Sequence, residues 1–127
     1  MNSIYSLKLV IISFFFSLSL FSCAKKESIS ERPVYCIFEN VVISDEEKME
    51  IYKSNVTSIV SKYGGEYIAA SENLEYVEGI WKPDFLIIIK FPSMKKTKEW
   101  YNSEDYKPLK ELRISSGNFN AVFIEGF

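Results

Sequence analysis

The amino-acid sequence predicts an α+β fold in which strands and helices follow one another in the order β-α-β-β-α-β. Four short segments rich in β-branched and aromatic residues have the composition of strands. Two regions between them carry apolar residues at helical spacing. This order is that of the ferredoxin-like arrangement, whose four-stranded antiparallel sheet carries its helices on one face.

The first strand is predicted at residues 34–42, and a helix is predicted to follow it. Ser44 is expected to open this helix, with Glu47 three residues later completing a capping box. Gly64 and Gly65 are expected to end it, because glycine readily adopts the left-handed conformation found after helices. The helix carries its apolar residues at helical spacing: Met49, Tyr52, Val56, Ile59, Val60 and Tyr63.

The two middle strands are predicted at residues 66–71 and 84–91, with the segment 73–81 between them. The second of these strands is the most apolar segment of the domain. Ser93 follows it and is expected to cap a second helix. That helix carries Met94, Thr97, Trp100 and Tyr101.

The end of the chain is predicted to hold one more helical segment and one more strand. Pro108 lacks the amide that a helix interior needs, so a new helical segment is expected to start there. It is expected to run to about Ile114. The last strand is predicted at residues 120–126.

The strands predict a second copy of the chain as a partner. In residues 85–89 both alternating sets of side chains are apolar, whereas a sheet with one solvated face should alternate apolar with polar. The helices can cover only one face. We therefore expect a homodimer in which the two open sheet faces meet and form a shared barrel.

The first 22 residues resemble a bacterial lipoprotein signal peptide. Lys8 precedes the uncharged apolar stretch 9–21, and Cys23 follows Ser22 directly. The resemblance implies that the Cys23 thiol takes a diacylglycerol, that the chain is cut before it and that the new amine is acylated. Residues 23–32 then form a polar tether, and residues 33–127 form one small domain outside the cytoplasm, anchored in the bacterial cell envelope.

Two alternatives to the lipoprotein signal remain open. One is an uncleaved membrane anchor, although a spanning helix needs roughly 20 apolar residues. Lys8 and Lys25 bracket only 16 residues between them. The other alternative is a plain secretory signal that is cleaved without lipidation.

Composition excludes several classes of function. The chain has no histidine, which removes the commonest general base and the usual zinc ligand. With Cys23 lipidated, Cys36 has no partner within the chain and is expected to be a small buried side chain. No basic patch interleaves with aromatic residues, so nucleic acid is not an expected partner. No cofactor or metal is expected.

Four motifs resemble, in order, those of the bacterial family called domain of unknown function 1330. They are Tyr63-Gly64-Gly65, Glu78-Gly79-Ile80-Trp81, Phe91-Pro92-Ser93 and Trp100-Tyr101-Asn102-Ser103-x-x-Tyr106-x-x-Leu109-x-x-x-Arg113. The resemblance implies the dimeric α+β barrel superfamily, which includes cofactor-free monooxygenases, haem-degrading enzymes and muconolactone isomerase-like proteins. The chain departs from the family at Ala70, where members usually carry an arginine, and in its lipid anchor.

The resemblance also implies a set of site residues around the space between the helices and the sheet. They are Glu78, Trp81, Trp100, Tyr101, Tyr106 and Arg113. One hypothesis is a binding module for a small aromatic or apolar ligand. A second is an enzyme without a cofactor, in which an aromatic or polyketide-like substrate stacks on the tryptophans, Glu78 acts as base and Arg113 steadies an anion. A third is a structural envelope protein, with the aromatic residues serving only as core.

Overall fold

The computed structural model of the protein describes residues 31–127. Its elements in chain order are β1 (Val34–Ile43), α1 (Glu46–Lys62), β2 (Glu66–Ser71), β3 (Leu86–Phe91), α2 (Met94–Tyr101), α3 (Lys107–Ser115) and β4 (Gly117–Glu125). The predicted signal peptide, Cys23 and most of the predicted tether lie outside the described residues.

The four strands form one sheet in the order β2-β3-β1-β4, and every neighbouring pair is antiparallel. Strand β1 lies between β3 and β4, so the two halves of the chain interleave in the sheet. This order and connectivity confirm the predicted ferredoxin-like fold.

One face of the sheet is covered by the helices. Val34, Cys36 and Phe38 of β1 are buried on this face, and they alternate with less buried neighbours. Ile89 and Phe91 of β3 pair with Cys36 and Val34 and are buried with them. The helices complete the core with Met49, Tyr52, Val56, Val60, Trp100 and Leu109.

The opposite face of the sheet is apolar as well. Ile37 of β1 pairs with Ile88 of β3 and Val122 of β4, so these three side chains lie side by side, pointing away from the helices. Tyr35 and Ile124 form the next row on this face. Val122 and Ile124 are 55% and 54% exposed in the single chain. The expected second apolar face is therefore present.

Two strands begin at positions that differ from those predicted. Strand β4 starts at Gly117, three residues earlier than expected, because a bulge between Asn40 and Val42 lets β1 keep pairing with it as far as Ile43. Strand β3 starts at Leu86, and the carbonyl of the preceding Phe85 accepts a hydrogen bond from the backbone amide of Asn40.

The start of α1 corrects the predicted capping box. The helix is capped by Asp45, whose carboxylate accepts a hydrogen bond from the backbone amide of Lys48. Ser44 is instead tied to the end of α3, since its amide and hydroxyl both donate to the carbonyl of Ser116. That tertiary bond takes Ser44 out of the capping position.

The glycine pair after α1 ends the helix as predicted. Gly64 adopts φ of +81°, and the amide of Gly65 donates to the carbonyl of Val60 at 2.9 Å. A Cβ on Gly65 would lie 2.6 Å from Val60 Cγ1 and 2.6 Å from the ring of Phe91. The missing side chain therefore lets the turn pack directly onto β3.

The predicted helical segments 93–101 and 108–114 are both found, as α2 and α3. Ser93 caps α2 by accepting a hydrogen bond from the amide of Lys96, as expected. Pro108 lies in the first turn of α3, where its missing amide costs no hydrogen bond. Between the two helices, Asp105 binds the side chains of Lys62 and Tyr63 at the end of α1.

Candidate functional site

A cavity of about 200 Å³ lies between α1 and the helix-covered face of the sheet. Its apolar wall consists of Phe38, Met49, Val56, Ala70, Phe85, Ile87 and Ile89. Its polar wall consists of Asn40, Tyr52, Lys53, Thr57, Tyr67 and Arg113. A largely apolar hollow with a few polar groups is typical of sites that bind small organic molecules. We call this space the α1 cavity.

Periodicity in the sequence places these side chains on the cavity. Residues at positions 49, 52, 53, 56 and 57 fall on one face of α1 because they repeat every three or four residues. On the sheet, Ile87 and Ile89 are two apart and share the inner face of β3. In β2 a bulge after Tyr67 shifts the register, so that Tyr67 and Ala70 both lie on the cavity side.

Arg113 brings a buried positive charge to this cavity from the last turn of α3. Its side chain is almost fully enclosed, at 5% exposure. The guanidinium carbon lies 5.4 Å from the centroid of the Phe38 ring and 5.2 Å from that of Phe119. Its Nε has no hydrogen-bond partner. Within residues 31–127, no carboxylate forms an ion pair with Arg113.

Two tyrosines add hydroxyl groups to the cavity wall. Burial is the main reason that the pKa of Tyr52 lies far above its usual value, and the neighbouring Tyr106 raises that pKa further. Burial also raises the pKa of Tyr67, while the neighbouring Thr57 side chain opposes this shift. Both phenols therefore remain protonated at neutral pH and can donate a hydrogen bond.

Trp100 and Tyr106, two of the predicted site residues, lie in the core. Both are 0% exposed, and their ring centroids are 4.5 Å apart. Trp100 also stacks on Phe91 at 5.0 Å and meets the edge of Phe38 at 6.2 Å. Neither side chain lines the α1 cavity. In this single chain they support the cavity through Phe38 and leave no ring face free for a ligand.

Tyr101 lies at the edge of the same aromatic cluster and is half-buried. Its ring packs on Phe123 at 5.3 Å, and the amine of Lys110 lies 4.4 Å from its centroid. It lines a second, shallower depression together with Arg113 and Phe119. Arg113 is therefore the one predicted site residue that reaches the α1 cavity.

Glu78 and Trp81 are not brought to the space between the helices and the sheet. Both lie in the loop between β2 and β3, where Glu78 is exposed and Trp81 is 59% exposed. Trp81 donates through Nε1 to Glu39 at 3.1 Å. Glu39 pairs with Leu86 on the sheet face that points away from the helices. The structure of one chain therefore separates Glu78 from Arg113, contrary to the expected gathering.

Sequence reasoning missed the groups that shape the cavity beside Arg113. The sequence indicates Tyr52 only as a member of the apolar stripe of α1 and Tyr67 only as a strand residue. A tyrosine at a core position does give a signal in the sequence. Its buried hydroxyl needs a hydrogen-bond partner, whereas leucine at the same position would need none. Ala70, where the resemblance implied a missing arginine, also lines the cavity.

Cys36 and the acidic side chains form no further site in the described part of the chain. Cys36 is a fully buried free cysteine, and burial raises the pKa of its thiol to about 12. This agrees with its expected role as a small core side chain. Within residues 31–127, no group of three or more acidic, histidine or cysteine side chains is arranged to hold a metal ion. None of the helices in this range has the length and apolar character needed to cross a membrane.

The fold is similar to those of solved bacterial proteins. A protein of unknown function from Rhodopseudomonas palustris is 13% identical, with a TM-score of 0.64 over 76% of this chain and 84% of that chain. A protein of unknown function from Bacteroides thetaiotaomicron, described as a possible oxidoreductase, is 13% identical, with a TM-score of 0.50 over 76% of this chain and 99% of that chain. At these identities the likenesses show the fold alone.

No curated protein matches the chain. The family model described as domain of unknown function (DUF1330) matches residues 33–127, which include all the described elements and the α1 cavity. The chain therefore belongs to the DUF1330 family.

Proposed function

We propose that the domain is a binding module that takes a small apolar or aromatic ligand into the α1 cavity. The observation that carries this proposal is a concave pocket of about 200 Å³ between α1 and the sheet, lined by apolar side chains and a few polar groups. Small organic ligands bind in concave, mostly apolar pockets in which a few polar groups fix their orientation. A pocket of this size beside Tyr52, Tyr67 and Arg113 is better explained by a small bound ligand than by core packing alone.

Binding is better supported than catalysis by this geometry. Within residues 31–127, no carboxylate side chain lines the α1 cavity, and Glu78 lies on a separate surface depression. A general base must reach the proton that it removes. A Glu78→Ala variant separates the two functions, because an enzyme that uses Glu78 loses turnover while its ligand affinity is retained. A binding module has no turnover to lose, and its ligand affinity stays unchanged because Glu78 lies outside the α1 cavity.

Filling the cavity tests the binding proposal. Val56 lines the cavity, whereas Ile59 is on the same helix, half-buried and outside the cavity. We expect Val56→Phe to occupy the space and Ile59→Phe to leave it open. Saturation-transfer NMR with indole, on the full-length chain in detergent, should show contact in the wild type and in Ile59→Phe but not in Val56→Phe. Equal signals in the two variants would place indole elsewhere and refute the proposal.

We also propose that two copies of the domain pair through their open sheet faces. The support is the apolar row of Ile37, Ile88 and Val122, which continues to the half-exposed Ile124. Burial of such a row stabilises an interface by roughly 25 cal/mol for each Å² of apolar surface removed from water.

A charge placed on that face tests the pairing. Val122→Lys should give single copies in analytical ultracentrifugation, since a buried interface cannot hold an unpaired lysine. The matched control is Ile51→Lys, because Ile51 is similarly exposed, at 46%, but lies on α1. This control should remain paired. A wild-type protein that sediments as a single copy at micromolar concentration contradicts the proposal.

Finally, we propose that the domain is tethered to a membrane of the bacterial envelope by lipid on Cys23. The support is the sequence before it, an apolar stretch that ends at Ser22. Growth with a labelled palmitate analogue should label the wild type and Cys36→Ser but not Cys23→Ser. Label that persists in Cys23→Ser rules this attachment out.

A further inference from the structure

We propose that the α1 cavity binds its ligand as a carboxylate, held by the guanidinium of Arg113, with the apolar or aromatic body of the ligand against the cavity wall. This inference rests on the proposed binding function. It adds the charge and the headgroup of the ligand, which an apolar cavity alone does not specify.

The positive charge of Arg113 is buried without a counter-charge among the described residues. An arginine side chain stays protonated in proteins, so it cannot relieve its burial by losing a proton. At 5% exposure it is also cut off from most of the surrounding water. Buried charges are ordinarily paired, yet none of the described carboxylates forms an ion pair with this one. A counter-charge from outside the chain would complete the site.

Two aromatic rings lie against the guanidinium of Arg113. The rings of Phe38 and Phe119 lie 5.4 Å and 5.2 Å from its carbon and attract the cation. Aromatic rings are only weak acceptors of N–H hydrogen bonds. The N–H groups of the guanidinium therefore still need a strong acceptor. The buried Nε in particular has no hydrogen-bond partner.

The charge balance of the cavity favours a ligand that carries one negative charge. Lys53 is the only other cationic side chain on the described wall, and its amine is 2.8 Å from the carboxylate of Glu50. One unpaired cation is neutralised by one carboxylate, whereas a phosphate dianion would leave an excess negative charge. The planar fork of an arginine also matches a carboxylate with two parallel hydrogen bonds.

Other side chains of the cavity wall can contact the same ligand as Arg113. Tyr52 lines the same cavity as Arg113. Its hydroxyl remains protonated and can donate to the same anion. Phe38, Ile87 and Val56 then supply apolar contact for the rest of the ligand.

The test compares acids with their uncharged amides on the full-length wild-type chain in detergent. Three pairs sample the ligand body: phenylacetate and phenylacetamide, indole-3-acetate and indole-3-acetamide, and octanoate and octanamide. Isothermal titration should show at least one acid binding tenfold or more tightly than its amide. If each amide binds as well as its acid, the cavity binds small molecules without a need for charge, and this inference fails while the proposed function stands. If no acid and no amide binds, both fail.

Substitutions of Arg113 test whether this residue binds the carboxylate of the ligand. Arg113→Met should weaken binding of the acid tenfold or more and leave the affinity for the amide within about threefold. Arg113→Lys should restore part of the affinity, because the charge returns without the fork. Lys98→Met should leave acid binding unchanged, since Lys98 is an exposed cation on α2 that lies outside the cavity.

One more variant separates the two hollows that Arg113 lines. Val56→Phe fills the α1 cavity but not the shallower depression beside Tyr101. It should abolish acid binding. Acid binding that survives in Val56→Phe places the anion outside the α1 cavity and overturns the inference. Wild-type affinity in Arg113→Met overturns it as well.

Discussion

Replacement of Arg113 by methionine should make the ligand-free protein more stable. The removal of an arginine from water costs several kcal/mol, even after the protein relaxes around it. Two aromatic rings at 5.4 Å and 5.2 Å return about 2 kcal/mol each. A buried methionine, by contrast, contributes about 1.5–3 kcal/mol through hydrophobic burial. Since the change leaves no partner charge behind, we expect the free energy of unfolding to rise by about 1–3 kcal/mol.

Thermal unfolding of the full-length chain measures this effect. For a domain of this size, about 1 kcal/mol corresponds to a shift of roughly 4–8 °C in Tm. Ligand-free Arg113→Met should therefore unfold roughly 5 °C or more above the wild type, while phenylacetate should raise the Tm of the wild type only. A fall of several degrees in the ligand-free variant would show that the guanidinium already has strong partners, and it would refute the reasoning.

Three further predictions concern the framework of the domain. Gly65→Ala should lower the free energy of unfolding by about 1–3 kcal/mol in denaturant titration, because its Cβ would lie 2.6 Å from the ring of Phe91; an unchanged midpoint contradicts the close packing of this turn. The hydrogen bond from Lys62, followed by that from Tyr63, lowers the pKa of Asp105 below its usual 3.8. This carboxylate therefore stabilises the fold above pH 3.8 and loses that effect as the pH falls through its folded pKa. Asp105→Asn should accordingly lower Tm at pH 7, with the difference closing below pH 3.8; a difference independent of pH would exclude this cause. Cys36 should resist iodoacetamide in the native protein and react in denaturant, as mass spectrometry can measure; rapid native alkylation would show that the thiol is accessible.

The fold was predictable because its signals are local. The helical repeat of α1, the glycine pair after it and the β-rich segments each indicate an element without knowledge of the rest of the chain. The errors arose where a distant residue intervened. Ser44 is a residue type that often caps helices, but it bonds to Ser116, directly after α3, and Asp45 caps α1 instead.

The candidate site was predictable only in part. Arg113 was identified from its motif and does reach the cavity. Tyr52 was not, because a helical stripe looks the same whether it borders packed core or an empty space. A void depends on how α1, α3 and the sheet fit together, and no single segment encodes that fit.

The loop between β2 and β3 shows a second limit. Glu78 and Trp81 stand out as a motif, and Gly79 between them adopts φ of +81°, which makes a turn. The pattern indicates the turn but not the face of the sheet to which it leads. Trp81 reaches Glu39 on the open face, opposite to the helices.

The most direct measurement is a crystal structure of the protein soaked with phenylacetate. We predict density for the ligand in the α1 cavity, with its carboxylate bound to the guanidinium of Arg113 and its ring against Phe38 and Ile87. An empty or collapsed cavity, or phenylacetate bound only elsewhere, would contradict the account.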